Sequence, residues 1–237
     1  PLAYAVVKNS QKTLYTLTDS SGYFKTRIDP KAPTDSVNIS LPGYKSSWIV
    51  VSDSNSIQIE LKKVQTTTTQ TPKIKGKAYK LGATSGQVLP PIGCFANSCT
   101  EVALYLKNPK GKLARIENIN FFIHNEGIYN TPFRIRIYQV ESGLPGPELT
   151  TRSVIVTGTQ KKGWNTFDLV GECLYLPING CFVSMEWLNL KDGKYVYPLN
   201  ERSELMGFGQ SLNLTNEFSL SLHCIRNNGG EWIKSNT

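Results

Sequence analysis

The sequence predicts an all-β chain built as two bodies, a small β-sandwich followed by a larger, jelly-roll-like one. Three observations carry this. Thr131 to Leu188 runs strand, turn, strand with no helical period: in Phe133-Arg134-Ile135-Arg136-Ile137 the apolar residues point one way and the arginines the other, the period of two of an extended chain. Gly, Pro and Asn clusters punctuate the chain at the spacing of sheet connections. One polar threonine run, Gln65-Thr66-Thr67-Thr68-Thr69-Gln70-Thr71-Pro72, interrupts the pattern and has no apolar period with which to bury a face. A length of 237 residues allows one large β-domain or two modest ones.

Residues 1–64 are expected to form the first body. Ala3 to Val7, Leu14 to Leu17 and Tyr23 to Ile28 read as strands. Thr18-Asp19-Ser20-Ser21-Gly22 is a tight turn in which Asp19 bonds its own backbone and Gly22 supplies a positive φ. Ser36-Val37-Asn38-Ile39-Ser40-Leu41 alternates cleanly and stops at Pro42-Gly43, and Ile57-Gln58-Ile59-Glu60-Leu61 is a last alternating segment. Residues 65–80 are expected to form a linker rich in Thr and Lys, in which Lys73, Lys75, Lys77 and Lys80 mark either an extended connector or an edge strand protected by charge.

Pro1-Leu2-Ala3-Tyr4-Ala5, Thr18-Asp19-Ser20-Ser21-Gly22-Tyr23-Phe24, Leu41-Pro42-Gly43-Tyr44-Lys45 and Ile57 to Leu61 together resemble a carboxypeptidase-regulatory-like domain. The resemblance covers about a quarter of the chain and implies a transthyretin-like β-sandwich without catalysis of its own. Such domains are frequent in exported and outer-membrane proteins of Gram-negative bacteria. The opening Gly-x-Val strand of the pattern is missing. The chain begins without Met inside a strand-like segment, so it is expected to be a piece trimmed from a longer protein. The expected home is accordingly the periplasm or the outer-membrane surface.

Residues 81–237 are expected to form the larger sandwich. Its strands are Glu101 to Leu106, Ile116 to Ile123, Thr131 to Val140, Val154 to Val156, Gly163 to Leu169, Cys181 to Leu188, Tyr195 to Tyr197, Phe218 to Ile225 and Trp232-Ile233. Asn108-Pro109-Lys110-Gly111, Gly143-Leu144-Pro145-Gly146-Pro147 and Lys191-Asp192-Gly193 mark turns. That strand number suits a jelly-roll-like sandwich. Phe133 to Tyr138, the following Pro-Gly and Gly-Trp pairs and Glu186-Trp187 resemble modules that follow regulatory-like domains in envelope proteins.

The charge of +8 does not point to nucleic acid. Residues 1–64 carry +3, the linker +4 and residues 81–237 only +1, and Lys outnumbers Arg 19 to 7, whereas nucleic-acid contacts favour the forked, stacking guanidinium. No run approaches the roughly 18 apolar residues of a membrane span. The spacing of Cys94 with Cys99, and of Cys173 with Cys181, allows two local disulfides in an oxidising compartment, with connectivity open. Cys224 reads as a buried thiol. The cysteines and two histidines do not show zinc-ligand spacing, and no Asp-rich loop suggests calcium.

Catalytic signatures are equally lacking. His124 and His223 fall on the outer faces of their strands, and neither Gly-x-Ser-x-Gly nor His-Glu-x-x-His occurs. Asp168 and Glu186 lie on separate strands, with nothing to set the separation of about 5–10 Å that a glycosidase needs. The expectation is a non-enzyme without a cofactor, whose partner is a glycan or another envelope protein. Sugar rings stack on aromatic faces, so Trp164, after the turn Lys161-Lys162-Gly163, is the leading ligand-binding candidate. Arg134, Arg136 and Asn165 are its companions, while Trp187 reads as core.

Overall fold

The structure, a computed structural model, describes residues 1–9, 14–26, 36–50, 56–64, 76–83, 92–95, 100–188, 193–200, 203–212, 223–227 and 230–235. The protein is all-β: among the described residues helical geometry is confined to the 3-10 turn Val170–Glu172 and to Gly193. The chain divides into two compact units, Pro1–Thr67 and Thr68–Thr237. Thr66 to Thr71, Lys73, Lys75, Cys99 and the Phe218–Leu222 part of one expected strand lie outside the described residues.

In the first unit, β1 (Val6–Asn9), β2 (Tyr15–Leu17), β3 (Ser36–Ser40) and β4 (Ser47–Val50) form an antiparallel sheet in the order β2-β1-β3-β4. Ala5, Val7, Val37, Ile39 and Leu41 are its buried core. The first strand starts later than its sequence suggests because Tyr4 adopts a left-handed φ of 57°. There the Thr18 hydroxyl donates to Leu2 O (2.7 Å) and accepts the Ala5 N–H (2.9 Å). The Asp19 turn forms as expected, its Oδ1 accepting the N–H groups of Ser21 and Tyr23 at 2.9 and 3.0 Å, with Gly22 at φ 78°. Tyr23 to Thr26 and Ile57 to Leu61 are not strands. Ile59 and Leu61 instead pack their side chains against the core without joining a ladder.

The second unit contains β5 (Ile92–Phe95), β6 (Glu101–Leu106), β7 (Ala114–Arg115), β8 (Asn118–Gly127), β9 (Pro132–Glu141), β10 (Leu144–Glu148), β11 (Val154–Thr157), β12 (Gly163–Asp168), β13 (Tyr175–Leu176), β14 (Cys181–Trp187), β15 (Lys194–Asn200), β16 (Ser203–Leu212), β17 (His223–Arg226) and β18 (Ile233–Ser235). The larger sheet runs β10-β9-β14-β6-β17-β18, with β11 also on β9, and the smaller runs β12-β8-β16-β15, with β5 also on β16. Early strands pair with late ones, β6 with β17 and β8 with β16, a nesting shared with jelly rolls. Ile135, Ile137, Val183, Met185 and Trp187 from the larger sheet pack into one core with Ile119, Ile123, Phe167, Phe208 and Leu212 from the smaller. That is the sandwich.

The two segments with the poorest strand signal have clear causes. Leu144-Pro145-Gly146-Pro147-Glu148 pairs with β9 at the sheet edge, where proline costs no ladder bond, and a bulge separates Pro145 from Glu148. Gly207 in β16 lies beneath the Tyr195 ring, which a Cβ at that position would approach to 2.5 Å. The aromatic ring of one strand covers the missing side chain of the next.

The larger sheet is buried on both faces. Opposite the sandwich core, Ala103, Tyr138, Phe182 and Cys224 form a second apolar patch, joined by Tyr105, Val140, Leu144 and Trp232. The alternation in β9 therefore separates two buried faces, not an inside from an outside.

Candidate functional site

Charged chemistry concentrates on that second face. The register of four neighbouring strands lines up Arg134 of β9, Glu186 of β14, Glu101 of β6 and Arg226 of β17 in one row across the sheet. Two carboxylates directly opposite each other repel, so the row needs cations on both sides. Arg134, with no exposed side-chain surface, donates from Nη1 to Glu186 Oε2 at 2.9 Å and from Nε to Ser153 Oγ at 3.0 Å. Arg136, one pleat along β9, places Nη1 3.3 Å from Glu186 Oε2 and 3.8 Å from Glu101 Oε2, spanning the two carboxylates. Its other edge forks onto Glu148 through Nε (3.1 Å) and Nη2 (2.6 Å).

Glu101 is bonded from three sides. It accepts from Tyr138 Oη (2.8 Å), Ser184 Oγ (2.6 Å) and Arg226 Nε (2.7 Å). The Arg226 guanidinium also lies 4.6 Å from the centre of the Trp232 ring. Three guanidinium groups thus meet three carboxylates. Burial works to lower the pKa of Arg136 and Arg226, but the surrounding carboxylates, Glu101 foremost, outweigh it and hold both above the ordinary value. Burial, with Glu101 beside it, pushes the Tyr138 phenol well up, so it remains a donor.

Of the four residues singled out as ligand contacts, the fold does not bring the set together. Arg134 and Arg136 belong to the larger sheet and face the carboxylates just described. Asn165 points inward and is 1 % exposed. Its Oδ1 accepts the N–H groups of Thr159 (2.8 Å) and Gln160 (2.9 Å), and its Nδ2 donates to Gln160 O and Gly163 O, both at 3.2 Å. It shapes the turn before β12. Trp164 alone faces solvent, 39 % exposed, with its ring edge-to-face against Phe122 at 5.4 Å and 86°. Trp187 is core, its Nε1 donating to Gln210 O at 2.7 Å.

The remaining candidates fall outside any reactive arrangement. Asp168 and Glu186 are in opposite sheets. The His124 Nδ1 accepts the Glu126 N–H at 3.4 Å and stands 4.0 Å from the Glu126 carboxylate. Cys173 and Cys181 are free thiols, so the bridge their spacing allows is not formed. Cys173 is exposed in a left-handed cap after the 3-10 turn, whereas Cys181 is buried in the sandwich core, where burial raises its pKa to about 12. Cys94 is buried in the same core, and its expected partner Cys99 is outside the described residues. Cys224 is the buried thiol its strand pattern suggests. Among the described residues, no group of three or more His, Cys, Asp or Glu is placed to hold a metal ion, and no helix is long and apolar enough to cross a membrane.

The solvent face of the smaller sheet carries a different set of groups. Along β8 and β12 the cross-strand pairs are Trp164 with Phe122, Thr166 with Asn120 and Asp168 with Asn118. All lie opposite the inward Ile119, Phe121, Ile123 and Phe167. Alternation alone marks Asn118, Asn120 and Phe122 as outward. Their meeting with β12 depends on a pairing across more than forty residues, which no local pattern reveals. No protein-family model, curated protein or solved structure matches the chain.

Proposed function

We propose that this protein is a non-enzymatic module of the cell envelope, periplasmic or on the outer-membrane surface, that acts by binding or holding another component. The observation that carries the reading is the self-neutralised charged row. Glu101 and Glu186, the closest thing to a catalytic carboxylate pair, are 1 % and 2 % exposed and already bonded to Tyr138, Ser184 and three arginines. A general acid or nucleophile must reach its substrate, and these carboxylates face their own arginines instead. The Asp19 turn and the Gly43-Tyr44-Lys45 segment, which resemble regulatory-like envelope domains, support the location.

A second reading, a carbohydrate-binding accessory of glycan uptake, is favoured by one observation, the Trp164 indole held at the surface beside Phe122. Two measurements test the main reading. Fractionation of the protein in its native host should recover it with the periplasm or outer membrane, and recovery in the cytoplasm refutes the location. A panel of chromogenic glycosides, esters and peptides should show no turnover. Turnover that follows the purified, folded protein refutes the non-enzymatic assignment.

A further inference from the structure

We infer that the solvent face of β8 and β12 is a binding platform for a neutral glycan; this rests on the binding-module reading above. Six side chains in three cross-strand pairs make it: Trp164 and Phe122, Thr166 and Asn120, Asp168 and Asn118. A saccharide presents an apolar ring face and a rim of hydroxyls, and the platform offers a partner for each. The Trp164 indole is 39 % exposed and braced by its edge-to-face contact with Phe122, so it pays little conformational entropy when a sugar ring stacks on it.

The next two pairs along the strands are amides, a hydroxyl and a carboxylate. Thr166, Asn120 and Asn118 are bonded in a chain before any ligand arrives. Thr166 Oγ1 donates to Asn120 Oδ1 at 2.5 Å, and Asn120 Nδ2 donates to Asn118 Oδ1 at 3.4 Å. Asp168 is anchored by the Val170 N–H on Oδ1 at 2.8 Å, leaving its second oxygen to accept hydroxyls. Asp168 lies four residue steps along the strand from Trp164, about 13 Å at the usual rise, the reach of a short oligosaccharide rather than a single sugar.

Charge decides among ligand classes. None of the six side chains is basic, and the one formal charge is the Asp168 carboxylate. These six side chains therefore offer no counter-charge to phosphate, sulfate or uronate groups, whereas amides and a carboxylate are suited to uncharged hydroxyls. An outward sheet face is ordinarily a scatter of solvated polar residues. Here two aromatic rings stand on that face at the end of a bonded polar ladder.

The test is affinity electrophoresis of the whole chain in gels carrying soluble neutral polysaccharides (hydroxyethylcellulose, galactomannan, glycogen) or anionic polygalacturonate. The anionic gel is needed because Lys161 and Lys162 lie in the turn just before β12. At least one neutral polysaccharide should retard the protein. Trp164→Ala should weaken that retardation about ten-fold, Thr166→Ala should weaken it less, and Trp164→Tyr should retain most of it. A thermal melt of each variant separates loss of binding from loss of fold. Lack of retardation in every neutral gel overturns the platform, as does retardation that well-folded Trp164→Ala leaves unchanged. Retardation by polygalacturonate alone overturns its neutral specificity. In these cases the module reading stands on its own tests, whereas shortening of the polysaccharide by the protein refutes the non-enzymatic reading and leaves the platform in place.

Discussion

Replacing Glu186 by Gln keeps the shape of the side chain and removes the carboxylate charge that Nη1 of the buried Arg134 donates to. Arg134 has no exposed side-chain surface and Glu186 is 2 % exposed. Opening such a pair from one side costs about 3–5 kcal/mol, because the remaining charge is stranded in a poorly solvating environment. For a unit of this size each kcal/mol lowers the melting temperature by about 2–4 °C, so the expected loss is roughly 6–20 °C. It should appear in the transition of the Thr68–Thr237 unit, followed through near-ultraviolet circular dichroism of the buried Trp187, since two compact units need not melt together. The double variant Arg134→Met with Glu186→Leu removes both charges and should recover most of the loss. Salt should change little, because a sealed pair is poorly screened. A loss below about 1 kcal/mol, the worth of an exposed ion pair, or one that vanishes in high salt, would show that water reaches the row and would refute the account of it as sealed.

Asn165→Ala removes four hydrogen bonds to backbone groups of the turn before β12, and a fifth from the Thr159 hydroxyl, and should cost about 2–4 kcal/mol in urea unfolding; a cost under about 1 kcal/mol would mean that the turn holds without it. Gly180→Ala should cost more than about 3 kcal/mol or abolish folding, since its φ is 85° and a Cβ there would lie 2.3 Å from Leu106 O; a stable variant with an unchanged melt would contradict that backbone. Burial raises the Cys181 thiol from its ordinary 9.0 to about 12. Its folded pKa exceeds the unfolded one, so its contribution is fully present below about pH 9 and is lost as the pH rises towards 12. Relative to Cys181→Ala, the native chain should lose about 2 kcal/mol of unfolding free energy between pH 8 and pH 10.5, and parallel pH profiles for the two proteins would rule this out.

Where strand character rested on local alternation, the sequence was a good guide. Glu101 to Leu106 forms a strand over its expected span, and Cys181–Trp187 differs from its expected span by one residue. It failed where another strand supplies what the local pattern lacks. Ser203–Leu212 contains Gly207, Gly209 and Gln210, which break the apolar alternation, yet the Tyr195 ring covers Gly207 and the segment becomes a long strand of the smaller sheet. Ile57 to Leu61 shows the converse: it alternates well and still joins no ladder, because alternation reports which side chains are buried and not whether the backbone finds a partner.

The same distinction moves the candidate site from one sheet to the other. Arg134 and Arg136 alternate with Phe133, Ile135 and Ile137, and charge on the second face of a strand ordinarily means solvent. That inference fails when the counter-charges arrive from elsewhere in the chain, here Glu101 more than thirty residues before them and Glu186 some fifty after. Once neutralised in register, arginines can line a buried face, and the sheet that bears them has no ionic groups left for a ligand on that row. The smaller sheet has the opposite composition. Its outer pairs along β8 and β12 hold a single charge among amides, a hydroxyl and two aromatic rings, so nothing in them requires burial or a counter-ion. Surface chemistry is therefore strongest on the face whose residues attract least notice in the sequence, and Trp164 is the one sequence-chosen ligand candidate that the assembled sheet leaves on that surface.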